Sequence, residues 1–151
     1  MKYTKVKKNI FMISEEWYIV AKVVKSKYDL GDIVFVNEFD YNNNQSGENH
    51  LFVVIADDDR VLPLEYFGLI VSSHREKSKD NSSLKYNEPL DKNVKNALKR
   101  DSIVKCDQLY NFPKANIQFK IGSVDVDDFI RFVRAYEIYL EETEKETVGN
   151  R

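Results

Sequence analysis

The chain has 151 residues, 42% of them hydrophobic and 32% charged, with a formal net charge of -2. That balance suits one soluble globular domain with a proper core, and it excludes a chain drawn to nucleic acid by overall charge, so such binding would need a local basic surface. The one cysteine, Cys106, excludes an internal disulfide and fits a reducing compartment, and no apolar run is long enough to span a bilayer.

The first eight residues are basic, but the stretch after them is broken by Glu15 and Glu16 and has no small-residue cleavage site, so a cytoplasmic chain is expected. Between Ile10 and Val24, the residues Ile13, Trp17, Val20 and Val24 share one helical face, with Ser14 placed to cap it. Segment 1–27 therefore reads as a helical extension that packs on a sheet or meets a partner. Leu30-Gly-Asp is a turn, and Ile33 to Val36 is an apolar strand running on to Phe39. Tyr41 to Asn49 is polar, Asn-rich and loop-like. His50 opens a buried strand, Leu51 to Ile55. A turn at Asp57 to Arg60 and a short extension at Val61 to Glu65 lead to another strand, Leu69 to Ser73, which His74 closes. Lys77 to Tyr86 again reads as loop.

Val94, Ala97 and Leu98 fall at helical spacing, which predicts a short helix over Asp91 to Arg100. Ser102 to Asp107 is a strand that Leu109 continues. Ile117 to Ile121 alternates strictly, as a half-buried strand does, and Gly122 is expected to end it. Asp125 caps a final helix with Asp128 at its third position. Phe129, Ile130, Val133, Tyr136 and Leu140 form its apolar stripe, and the charged tail 141–151 is expected to fray. No regular crossover helices separate the strands, which disfavours a parallel α/β layout. The expected class is α+β, mainly β: a small curved antiparallel sheet or barrel with a helix at each end, in a single domain.

Chemistry is concentrated at the strand ends. His50 and His74 can exchange protons near neutral pH. Beside Ser72, Ser73 and Arg75, two such groups can take a proton from a ribose 2′-hydroxyl and stabilise a phosphorane without a metal. The alternative is two polar residues ending two strands. Asp57 to Asp59 lacks the spacing of a calcium loop, Asp125 to Asp128 is explained by capping, and Cys106 has no zinc-ligand neighbours, so neither a metal nor another cofactor is expected. Neither common glycine-rich phosphate loop is present. Cys106, in an apolar strand, reads as a core residue more than a nucleophile, and no nucleophile elbow surrounds Ser72 or Ser73. Lys77, Lys79, Lys85, Lys92, Lys95, Lys99 and Arg100, with Tyr86 and Tyr110, suit either a groove for single-stranded RNA or a solvated face.

The order of segments resembles the MazF/PemK family of toxin ribonucleases. Leu30-Gly-Asp-Ile-Val-Phe-Val36 resembles the family's opening Gly-Asp and first strand. Gly47-Glu-Asn-His-Leu-Phe-Val-Val-Ile55 is similar to its second motif, a glycine-led loop into an apolar strand. Leu69-Ile-Val-Ser-Ser73 is similar to its third, which ends in Thr or Ser, and Arg100-Asp-Ser-Ile-Val-Lys-Cys-Asp-Gln-Leu109 to its Asp-Ser-strand segment. Ile121-Gly to Leu140 resembles the closing strand-to-helix passage, so the likeness spans residues 28–140. It implies an SH3-like barrel of the MazF/PemK (CcdB-like) type, usually a homodimer. It also implies cleavage of single-stranded RNA without metal, by 2′-hydroxyl attack, and neutralisation by a cognate antitoxin protein. The family places Arg-Pro in the second motif, where this chain has His50-Leu51.

On this resemblance the chain is expected to be an endoribonuclease toxin. His50 would be general base or acid, and Ser73, or Ser72 with a one-residue shift, would bind a phosphate oxygen. His74 or Arg75 would stabilise developing charge. Ser72, Lys77, Lys79 and Lys105 would touch RNA. The rival expectation is a catalytically inactive module of the same fold that binds a protein or nucleic acid.

Overall fold

A computed structural model describes residues 27–40, 46–73 and 85–149. The helix expected over Ile10–Val24 lies outside them. Among the described residues, six strands precede a long helix: β1 (Asp32–Asp40), β2 (Ser46–Asp57), β3 (Glu65–Ser72), β4 (Asn87–Leu90), β5 (Ser102–Pro113) and β6 (Ile117–Ser123), then α1 (Val126–Gly149). A single 3-10 turn, Lys114–Asn116, joins β5 to β6. All six strands form one antiparallel sheet in the order β4-β5-β3-β2-β1-β6.

The central strands are apolar on both faces because both faces are covered. Ile33, Val53 and Leu69 align across β1, β2 and β3, and the next residues along, Val34, Phe52 and Ile70, align on the opposite face. The first row belongs to a core shared with Val104, Cys106 and Phe132 of α1. The second belongs to a core with Val36, Phe39, Tyr110 and Phe112. Two strands separate β1 from β5 in the sheet, yet Phe39 and Tyr110 meet edge to face with ring centroids 5.5 Å apart. The sheet is therefore curved, and this second core fills its concave side.

At the first turn, Gly31 sits at φ +95°, a conformation that favours glycine, and its N–H donates to the Val54 carbonyl at 2.7 Å. Asp32 is buried; it accepts the Asp29 N–H at 2.9 Å and pairs with Lys120 of β6 at 3.2 Å. The Gly-Asp pair thus fastens β1 to its neighbours.

Helix α1 starts as its sequence predicts: Asp125 Oδ1 accepts the Asp128 N–H at 2.9 Å. Its buried anchor is Phe132, which the expected stripe omitted; Ile130 and Leu140, which the stripe included, are about half exposed. Covering Phe132 contributes about 1.5–3 kcal/mol. The helix runs to Gly149, so residues 141–149 of the expected tail are helical rather than frayed. No described helix is long and apolar enough to cross a membrane.

Three further expectations are corrected, and one strand is added. Ser46 to Asn49 belong to β2, which shortens the Asn-rich loop, and β6 continues through Gly122 to Ser123. Asn87–Leu90, a stretch to which the sequence reading gives no element, is a strand paired with β5. Asp91 to Arg100 is not a helix: Val94 is 98% exposed and Ala97 adopts φ 57°, so turns replace the expected helical face.

Candidate active site

The ends of two strands place the predicted residues. Leu51 of β2 pairs with Val71 of β3, so His50 and Ser72 stand side by side at one end of that antiparallel pair. Ser73 follows directly on the strand and is exposed. His50 has few geometric partners. Its Nδ1 lies 3.2 Å from the Glu48 carbonyl oxygen, and its ring meets Phe39 edge to face at 5.7 Å. A carbonyl oxygen only accepts, so this contact places the proton of a neutral ring on Nδ1 and leaves the lone pair on Nε2. Nε2 is then the basic atom.

A third segment completes the site. The turn at 91–101 is held by asparagines. The Asn93 N–H donates to Asn96 Oδ1 at 3.0 Å, and the Asn96 N–H returns to Asn93 Oδ1 at 2.8 Å. Asn96 is fully buried, and its amide also donates to the Asp91 carbonyl at 2.8 Å and accepts the Leu98 N–H at 3.0 Å. Asp101 accepts the Lys92 N–H at 3.0 Å, and the buried Ser102 hydroxyl donates to the Arg100 carbonyl at 3.0 Å. The turn rests on β6, where the Ser123 N–H donates to the Lys95 carbonyl at 3.1 Å. This anchoring sets Lys99 and Arg100 against the strand ends.

The result is a cavity of about 560 Å³ lined by His50, Ser72, Ser73, Lys99 and Arg100 over an apolar floor that includes Leu51 and Val71. No described carboxylate lines it. Neither Lys99 nor Arg100 makes an ion pair with a described residue. Two hydroxyls, an imidazole and two cations around an apolar floor can hold a phosphate, accept or donate a proton and stabilise negative charge.

His50, Ser72 and Ser73 are thus brought together. His74, Arg75, Lys77 and Lys79 lie outside the described residues. Lys105 is not part of the cavity wall. Lys99 and Arg100 were visible in the sequence only as members of a basic run. The neighbouring Arg100-Asp-Ser motif was the signal that could have singled them out.

Cys106 carries no comparable chemistry. It is buried, and burial pushes its thiol up to about 12, with the Glu88 and Asp107 carboxylates adding to the rise and Arg131 opposing it. Among the described residues, no three histidine, cysteine or carboxylate side chains converge as a metal site.

Comparison with known proteins agrees with the fold. Residues 29–139 match the family model of the PemK-like, MazF-like toxins of type II toxin-antitoxin systems. The Mycobacterium tuberculosis toxin MazF-mt6 shares the fold, with a TM-score of 0.54 and 13% identity over 73% of this chain and 96% of that one. A mycobacterial endoribonuclease solved in complex with its cognate antitoxin gives a TM-score of 0.53 and 9% identity over 77% of this chain and 95% of that one. No curated protein sequence matches the chain.

Proposed function

The chain belongs to the PemK-like, MazF-like toxins of type II toxin-antitoxin systems, and from that premise we propose that it is an endoribonuclease cutting single-stranded RNA without a metal. The observation that carries the reading is the cavity where His50, Ser72, Ser73, Lys99 and Arg100 meet, with no described carboxylate in its wall.

In the proposed reaction, the 2′-oxygen of one nucleotide attacks its own 3′-phosphate. His50 Nε2 takes the 2′-hydroxyl proton as the new P–O bond forms. Ser73, with Ser72 beside it, donates to a phosphate oxygen. Arg100 and Lys99 stabilise the charge that builds on the phosphorane. The bond to the 5′-oxygen then breaks, and His74 supplies the proton that oxygen needs. The products are a 2′,3′-cyclic phosphate and a 5′-hydroxyl. Arg100 is assigned the role considered for Arg75 because Arg100 lines the cavity. Among the partners, a cognate antitoxin protein is supported by the relative solved with one. A homodimer follows from the family resemblance.

End-group analysis tests the reading. Single-stranded RNA incubated with the protein in excess EDTA should yield 2′,3′-cyclic phosphate ends, while DNA of the same sequence stays intact for want of the attacking hydroxyl. Intact RNA, together with tight binding of a protein partner, would favour the inactive binding module instead.

A further inference from the structure

Phe119 is 51% exposed on β6, an edge strand of the sheet. Its cross-strand partner is Phe35 of β1, and the two rings stack nearly parallel, 9° apart with centroids at 5.1 Å. One exposed phenylalanine is unremarkable on a protein surface. Here, however, one ring face is already taken by Phe35, and Phe35 itself lines the cavity beside His50. Ile121, two residues along β6 and so on the same strand face as Phe119, lines the cavity as well. The stacked pair therefore extends the apolar floor of the cavity outward from the cluster of His50, Lys99 and Arg100.

We propose that Phe119, backed by Phe35, is the platform on which a nucleobase of the RNA strand stacks while its phosphate is held at the His50–Arg100 cluster. The inference rests on the ribonuclease reading above and adds a base-binding subsite to it. Aromatic stacking accepts any base, because every base has a π face, and cations with no described carboxylate opposite them suit a strand whose backbone is anionic. The occupant is thus a nucleotide adjacent to the scissile bond. A second copy of the chain, which would cover Phe119 with apolar side chains, is the competing occupant.

Binding of two strands by fluorescence anisotropy decides the matter, with folding of each variant checked by thermal melting. One strand is a 2′-O-methyl oligoribonucleotide, which lacks the attacking hydroxyl; the other is an abasic strand of equal length. F119A should weaken binding of the first strand about 5- to 150-fold, the range expected for one stacked base. F119L, which keeps apolar bulk without a π face, should also be weak, and F119W should restore affinity. On the abasic strand all four proteins should bind alike. If F119A binds the base-bearing strand as tightly as the unchanged protein, the platform is wrong while the ribonuclease reading stands. If F119A instead disrupts self-association with RNA affinity unaltered, the surface is a contact between copies. If the unchanged protein binds neither strand, the ribonuclease reading fails and the platform with it.

Discussion

A β-carbon on Gly122 would lie 2.6 Å from the carbonyl oxygen of Asn96. β6 and the turn that carries Lys99 and Arg100 are in backbone contact there, and only a residue without a side chain permits it. Gly122→Ala should push the turn away from the strand. Cleavage of RNA should fall by at least about tenfold, since misplacing charge-stabilising groups by about 1 Å costs on that scale or more. The variant's circular dichroism should stay that of a folded β protein. Unchanged cleavage by a folded Gly122→Ala protein would show that the turn's position does not matter.

The buried Asn96 amide makes several of the contacts that shape the same turn. Asn96→Ala leaves the N–H of Asn93, the N–H of Leu98 and the carbonyl of Asp91 short of that side-chain partner. A loss of about 2–4 kcal/mol in unfolding free energy is expected, measured by urea denaturation.

Phe132 anchors α1 with no exposed surface. Phe132→Ala should cost about 3–5 kcal/mol, because transfer energy and an unfilled cavity add together. Ile130→Ala, on the half-exposed part of the same helix, should cost far less. Denaturant midpoints for the pair check the orientation assigned to α1.

Asp58 closes the turn between β2 and β3. Its restricted contact with water disfavours ionisation, but the N–H groups of Leu64, Arg60 and Glu65 all donate to it and outweigh that effect, holding its carboxyl below the ordinary aspartate value. A depressed folded-state pKa stabilises above the unfolded value, about 4, and that stability is lost as pH falls through the folded value. The stability difference between the unchanged protein and Asp58→Asn should therefore be constant at neutral pH and shrink in strong acid. Urea midpoints measured from pH 7 down to pH 2 show whether it does.

Cys106 should be inert in the native protein, its thiol protonated throughout the neutral range. Iodoacetamide at pH 8 should leave it unlabelled until denaturant is added, as followed by mass spectrometry.

Much of the sheet was legible because its chemistry is local. The apolar runs at Ile33–Val36 and Leu51–Ile55 are what strands covered on both faces require, and His50 and Ser72 could be brought together from their places at strand ends. β4 was not legible. Asn87-Glu-Pro-Leu90 has one fully buried apolar residue, and its extended form comes from pairing with β5; Pro89 is tolerated because the strand lies at the sheet's edge. The segment 91–100 imitated a helix through Val94, Ala97 and Leu98, whereas its conformation is set by Asn93, Asn96 and a distant contact with β6. Because that contact is long-range, nothing in the local pattern placed Lys99 and Arg100 opposite His50.

The most direct test is the single-turnover rate of RNA cleavage in excess EDTA for the unchanged protein and for His50→Ala. If Nε2 of His50 takes the 2′-hydroxyl proton, the variant should be slower by about 10²–10⁴-fold, with a melting temperature close to the parent's because His50 is an exposed side chain. Cleavage by His50→Ala at the parent's rate would contradict the assignment of this cavity as the active site.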